Sequence, residues 1–181
     1  SVMYMSYFEF FHRLTKGHLE GRSPFPADYS QWPEEWRTIY FKSYPQLPHI
    51  ALEDDPETAG PSIFDTIGTR QSGRIFSQAA LSLRDISRLF KYSCGIQDAR
   101  KRPHDDHGAL TEDQHRAQPS GGGRFPIEAY LLNFVSGELP SGVYHYDVKQ
   151  HQLDVLAERT FDATDIEGIF YYPFIKSASC A

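Results

Sequence analysis

The sequence predicts an α+β chain on three observations. Apolar residues recur at helical spacing over 3–14, a helix with a marked N-terminal cap begins at Ser82, and the second half holds an apolar run followed by two alternating segments. The chain thus carries helices together with a buried strand and a hairpin. At 181 residues, 40% of them hydrophobic, the chain has the length and composition to bury one core.

In chain order, Tyr4, Tyr7, Phe8, Phe11 and Leu14 fall on one helical face, and Gly17 and Gly21 bracket its end. Residues 22–61 are rich in proline and aromatics, with Trp32 and Trp36, and read as an extended segment packed over the main body. Glu53-Asp54-Asp55, followed by Pro56 and Glu57, reads as an exposed linker. Residues 1–61 are thus assigned to an N-terminal extension and 62–181 to a compact domain. Ile63, Phe64 and Ile67 form one helix face ahead of Arg70. Ser82 and Asp85 make a capping-box-like pair, with Leu81 and Ile86 at the staple positions around it. Leu83, Ile86, Leu89 and Phe90 supply the expected buried stripe, and Gly95 the expected left-handed stop.

Residues 97–118 are polar and read as a long loop. Residues 127–135 are apolar on both faces of a two-residue period, as in a buried central strand. Gly142–Asp147 and Gln152–Leu156 flank a short polar turn and read as a hairpin. Asp165–Tyr172 holds a short helix, and Ser177–Ala181 resembles the start of a strand.

Composition excludes several functions. A net charge of −6 opposes nonspecific nucleic-acid binding, so any anion site has to be local. No apolar run reaches transmembrane length and no secretory signal is present, so the expected setting is the cytoplasm, away from membranes. The two cysteines, Cys94 and Cys180, are too few for a disulfide framework or a four-cysteine zinc site. His104, His107 and His115 lie in charged surroundings that read as solvated loop, so no metal is expected, and His145 between two tyrosines reads as strand packing.

Two motifs carry chemistry. Arg70-Gln71-Ser72-Gly73-Arg74 puts two guanidiniums and a hydroxyl on one face if the segment is extended, which suits a phosphate and the polar edge of a ring. Solvated arginines on a surface strand are the alternative. Pro119-Ser120-Gly121-Gly122-Gly123 offers backbone that a planar ring can approach closely, or simply a flexible loop.

In order and spacing these segments resemble the flavin-dependent nitroreductase superfamily, and more narrowly its SagB-type azole-forming dehydrogenases. The matching stretches are Arg70–Phe76 with the helix Leu83–Cys94, Arg116–Gly122 running into Phe125–Tyr130, and Gly142–Asp147 with His151-Gln152-Leu153. Lys42-Ser43-Tyr44-Pro45 and Leu47-Pro48 resemble the segment preceding the catalytic domain. The resemblance implies a nitroreductase-like fold, a central antiparallel or mixed sheet flanked by helices, acting as a homodimer with FMN at the interface. It implies that Arg70, Ser72 and Arg74 hold the phosphate, ribityl chain and pyrimidine edge. Pro119, Ser120, Gly121 and Gly122 would lie against the isoalloxazine ring, with Arg116 a further candidate.

The implied reaction is FMN-dependent oxidation of thiazoline or oxazoline rings to thiazole or oxazole in a ribosomally made peptide, beside a cyclodehydratase complex. No catalytic base is identified. The resemblance stops before the superfamily's later half, so the expectation is the N-terminal half of such an enzyme, either completed by a second chain or a truncated part of a longer one. A non-catalytic scaffold subunit, or a general NAD(P)H-dependent nitro- or quinone-reductase, are the competing readings.

Overall fold

The computed structural model describes residues 29–31, 33–35, 41–54, 60–100, 113–120 and 125–181. The expected helix at 3–14, Trp32, Trp36, His104, His107, Gly121 and Gly122 lie outside the described residues. The chain divides into two compact units, residues 1–40 and 41–181. The division falls some 20 residues before the sequence-based boundary at 61/62, because residues 48–52 are built into the sheet of the second unit.

That unit is organised on a four-stranded antiparallel sheet of order β1-β6-β5-β4. Its strands are β1 (His49–Ala51), β4 (Tyr130–Asn133), β5 (Gly142–Asp147) and β6 (Gln152–Glu158). A separate ribbon pairs β2 (Ile96–Arg100) with β3 (Asp113–Arg116). The expected long loop at 97–118 therefore begins and ends as a strand. The α-helices among its described residues include α1 (Ile63–Thr69), α2 (Leu83–Ser93) and α3 (Ala163–Ile169). No described helix is long and apolar enough to cross a membrane.

The hairpin is as expected, with β5 and β6 joined at Asp147↔Gln152. The Asp147 carboxylate closes the turn by accepting from the backbone N–H groups of Lys149 (2.9 Å) and Gln150 (3.1 Å). The centre of the sheet is β5 and β6, whereas β4 lies between β5 and the segment Ser179–Ala181. Leu132 and Ala181 exchange backbone hydrogen bonds of 2.8 and 3.0 Å there, so the small-residue tail does run as a strand-like edge.

Helix α2 covers one face of the sheet. Ser82 caps it, its Oγ accepting from Asp85 N–H at 3.1 Å and donating to the Asp85 carboxylate at 2.7 Å. Removing such a cap costs about 1 kcal/mol, so Ser82→Ala is expected to lower unfolding stability by that much, read in urea as a lower midpoint with an unchanged slope. Ile86 and Phe90 enter the core, and the Phe90 ring stacks on Tyr146 with centroids 4.5 Å apart. Leu131, Leu139, Tyr144 and Leu153 complete the cluster, with Leu81 packed at its rim.

Two expectations for α2 are corrected. Leu89 is exposed, and Ser87 takes the buried position in its place. Ser87 is one residue from Ile86 and three from Phe90, and it meets a polar neighbour, described below. Gly95 is not in the left-handed region. A side chain at Gly95 would meet the Lys91 backbone at 2.8 Å, so the residue is small because the chain folds back tightly against the helix end.

The expected linker at Glu53-Asp54 is also tied down. The Ser87 hydroxyl donates to Glu53 O (2.5 Å), and Lys91 pairs with Asp54 at 3.2 Å. His151 is the hub of this corner. With Ser87 donating to a carbonyl, His151 Nε2–H donates to Ser87 Oγ (2.8 Å) and Nδ1 accepts from the Tyr146 hydroxyl (2.7 Å). The imidazole is neutral in this chain of bonds. Burial first, then the Lys91 ammonium, hold its pKa below the ordinary value, and burial pushes the Tyr146 phenol up.

A histidine with a depressed folded pKa stabilises fully above its unfolded value, ~6.5, and loses that contribution as pH falls toward the folded value. Denaturation at pH 7.5 and 5 is expected to show this acid loss in the wild type and a smaller one in His151→Gln.

Candidate functional site

The first candidate segment leaves α1. Ser62 caps that helix by accepting from Asp65 N–H (3.1 Å), and the helix ends where Arg70 N–H bonds to Thr66 O (3.1 Å). Its apolar face is not covered: Ile63, Phe64 and Ile67 are 69%, 82% and 68% exposed. Beyond it, Arg70 to Ala80 form no strand, and Arg70, Ser72 and Arg74 are all exposed. Among the described residues neither arginine has a carboxylate partner. The segment touches down at Phe76, whose ring lies 6.3 Å from that of Phe174. An open, mostly apolar groove of about 320 Å³ follows, between Phe76–Leu81 and Ala178–Cys180.

The second segment leaves β3. Arg116 is buried, its guanidinium 4.5 Å from the Phe125 ring centroid and 5.1 Å from that of Phe41. Burial lowers its pKa, and the negative charge of Glu128 works in the opposite direction. Pro119 and Ser120 follow, and Ser120 Oγ accepts from Phe125 N–H at 2.7 Å. Phe125 sits at φ 46, a left-handed conformation that closes the loop back on itself. Residues 120 and 125 thus form the neck of the glycine-rich loop. Among the described residues, no hydrogen bond or ion pair links Arg70–Arg74 to Pro119–Ser120.

A third cluster was not read from the sequence. The strand register sets His49, Asp154, His145 and Tyr130 side by side across all four strands. Asp154 Oδ1 bonds His49 Nδ1 and its Oδ2 bonds His145 Nδ1, both at 2.9 Å. The other His145 nitrogen, Nε2, lies 3.2 Å from Glu128 Oε2. The Tyr44 and Tyr130 rings pack against His145 with centroids 5.1 and 5.2 Å away. Lys42 Nζ donates to the Tyr130 hydroxyl at 2.6 Å. That bond raises the Lys42 pKa, and the Lys42 ammonium lowers that of Tyr44. The expectation that His145 packs on a strand holds. The readable signal was the hairpin itself, since a turn closed at 147↔152 pairs residue 145 with 154.

Superposition on solved structures identifies the fold. A putative nitroreductase from Anabaena variabilis ATCC 29413 matches over 98% of this chain and 31% of its own, with a TM-score of 0.63 and 23% identity. A putative nitroreductase from Ralstonia eutropha JMP134 covers 61% of this chain and 44% of its own, at 27% identity and a TM-score of 0.47. The chain has the nitroreductase-like α+β fold. In sequence it is similar to the trifolitoxin-processing protein TfxB of Rhizobium leguminosarum bv. trifolii, 38% identical over 78 residues. Those residues are 42% of this chain and 19% of TfxB, so the chain spans about a fifth of that relative and about a third of the Anabaena protein. No protein-family model matches.

Proposed function

We propose that this chain carries part of the FMN site of an oxidoreductase that converts thiazoline or oxazoline rings of a ribosomally made peptide to the aromatic azoles. The observation that carries the reading is similarity to a toxin-processing protein on a nitroreductase-like fold. The donor set of Arg70, Ser72 and Arg74 suits the cofactor: two guanidiniums match a phosphate bidentately, and a hydroxyl suits a ribityl or pyrimidine oxygen. All three are exposed and directed to no carboxylate among the described residues. Pro119, Ser120, Gly121 and Gly122 would face the ring, their neck held by the Ser120–Phe125 bond and by Arg116 under Phe125.

Bound FMN would supply the hydride acceptor that ring aromatisation needs. This chain's share is to hold and orient it. The uncovered face of α1 and the solvent-exposed arginine segment support a site completed by polypeptide beyond these 181 residues or by a second copy.

The test is flavin content. Protein purified with its completing partner should release stoichiometric FMN on denaturation and remove one hydrogen pair per ring from an azoline peptide, read by mass. A partner-complete preparation free of flavin ends the proposal. Steady NAD(P)H consumption with a quinone, without azoline oxidation, would favour a general reductase instead.

A further inference from the structure

We propose that His145 is a standing imidazolium whose second N–H holds Glu128, and through it positions the arm that carries the neck of the glycine-rich loop. His145 is fully buried, and both of its ring nitrogens face carboxylate oxygens. A carboxylate oxygen only accepts, so an imidazole facing one on each side has to donate twice, and a ring that donates twice is a cation. A neutral ring would set one lone pair against a carboxylate oxygen.

Asp154 is itself fixed as an anion. Its Oδ1 faces His49 Nδ1 (2.9 Å) and accepts from Gln152 Nε2–H (3.3 Å), while Oδ2 faces His145 Nδ1, so nitrogen groups meet both oxygens. Glu128 retains some solvent access, its side chain 26% exposed, which favours its ionised form. The groups facing His145 are therefore Asp154 and Gln152 from β6, His49 beyond Asp154 on β1, Tyr130 from β4, Tyr44 with Lys42 from the segment before β1, and Glu128 from the arm.

The arm explains the use of the charge. Between Phe125 and β4 it is tied to the sheet by the backbone bond from Tyr146 N–H to Ala129 O (2.9 Å) and by the Glu128–His145 pair. Three residues before Glu128, Phe125 closes the loop neck on Ser120 and covers Arg116. Loss of the His145 Nε2 proton would turn a charge-assisted bond into a contact between two acceptors and free the Glu128 end of the arm. His145 is a positioning residue here, and only the identity of what the loop faces rests on the function proposed above.

The experiment needs no flavin. Ring nitrogen–proton correlation spectra of the 15N-labelled full chain at neutral pH, assigned against His145→Gln, should show both His145 nitrogens protonated. A bare Nε2 overturns the proposal. Amide exchange at Phe125 should quicken about tenfold in Glu128→Ala, as loss of one such bond predicts, and return toward wild type in Glu128→Gln, whose amide oxygen still accepts from Nε2–H. Unchanged exchange at Phe125 in Glu128→Ala would overturn the positioning role. If these results hold while FMN fails to bind, the charge assignment stands and the cofactor reading falls.

Discussion

Arg70→Ala is expected to weaken FMN binding by about 1.5–3 kcal/mol, roughly ten- to a hundredfold in Kd, through one lost charge-assisted hydrogen bond to an anion. The side chain is exposed, and the described backbone bond of Arg70 is the N–H to Thr66 O that ends α1, which alanine keeps. Stability should therefore hardly change, and a fall in affinity would report the lost contact. Arg159→Ala is the control, since that guanidinium pairs with Asp165 at 2.8 Å beside α3. Fluorescence titration of the partner-complete protein decides the matter. An Arg70→Ala variant that binds FMN as the wild type does would move the phosphate site elsewhere.

Asp154→Ala is expected to cost about 3–5 kcal/mol of folding stability, the penalty for leaving a buried charge without its partner. That is a large part of the 5–15 kcal/mol by which a domain of this kind is ordinarily stable, so much of the variant would populate the unfolded state under mild denaturant. The cause lies in the row across the sheet. Asp154 accepts from His49 on one side and His145 on the other, and no described residue replaces it. Asp154→Asn should lose less, because the amide oxygen still serves one histidine while its NH₂ opposes the other. Urea denaturation with the slope monitored checks both variants. A loss under about 1 kcal/mol in Asp154→Ala would mean that the row is hydrated and its charges are screened.

Local chemistry made much of the fold readable. The Ser82 cap, the Asp147 turn and the alternation on either side of it act over a few residues, so their signals are intact in the sequence. The Ser-Gly-Gly loop and the Arg70–Arg74 segment were legible as candidates for the same reason, since both are defined by residue type over a short stretch.

What escaped was long-range. Leu89 carries the right spacing for the core of α2, yet Ser87 is buried because Glu53 and His151 arrive there from elsewhere in the chain. The strands Ile96–Arg100 and Asp113–Arg116 have a polar sequence that resembles loop, since they are specified by pairing with each other and not by alternation.

By itself the sequence determined the kinds of element and the residue types available to hold a phosphorylated ring, because each depends on local spacing and composition. Only the tertiary structure decided that His49, Asp154, His145 and Tyr130 form one row, that Glu128 reaches it, and that α1 presents its apolar face outward. The physical reason is register. A strand fixes which face a side chain takes, but only the pairing of distant strands fixes its neighbour, and a histidine's charge follows from that neighbour.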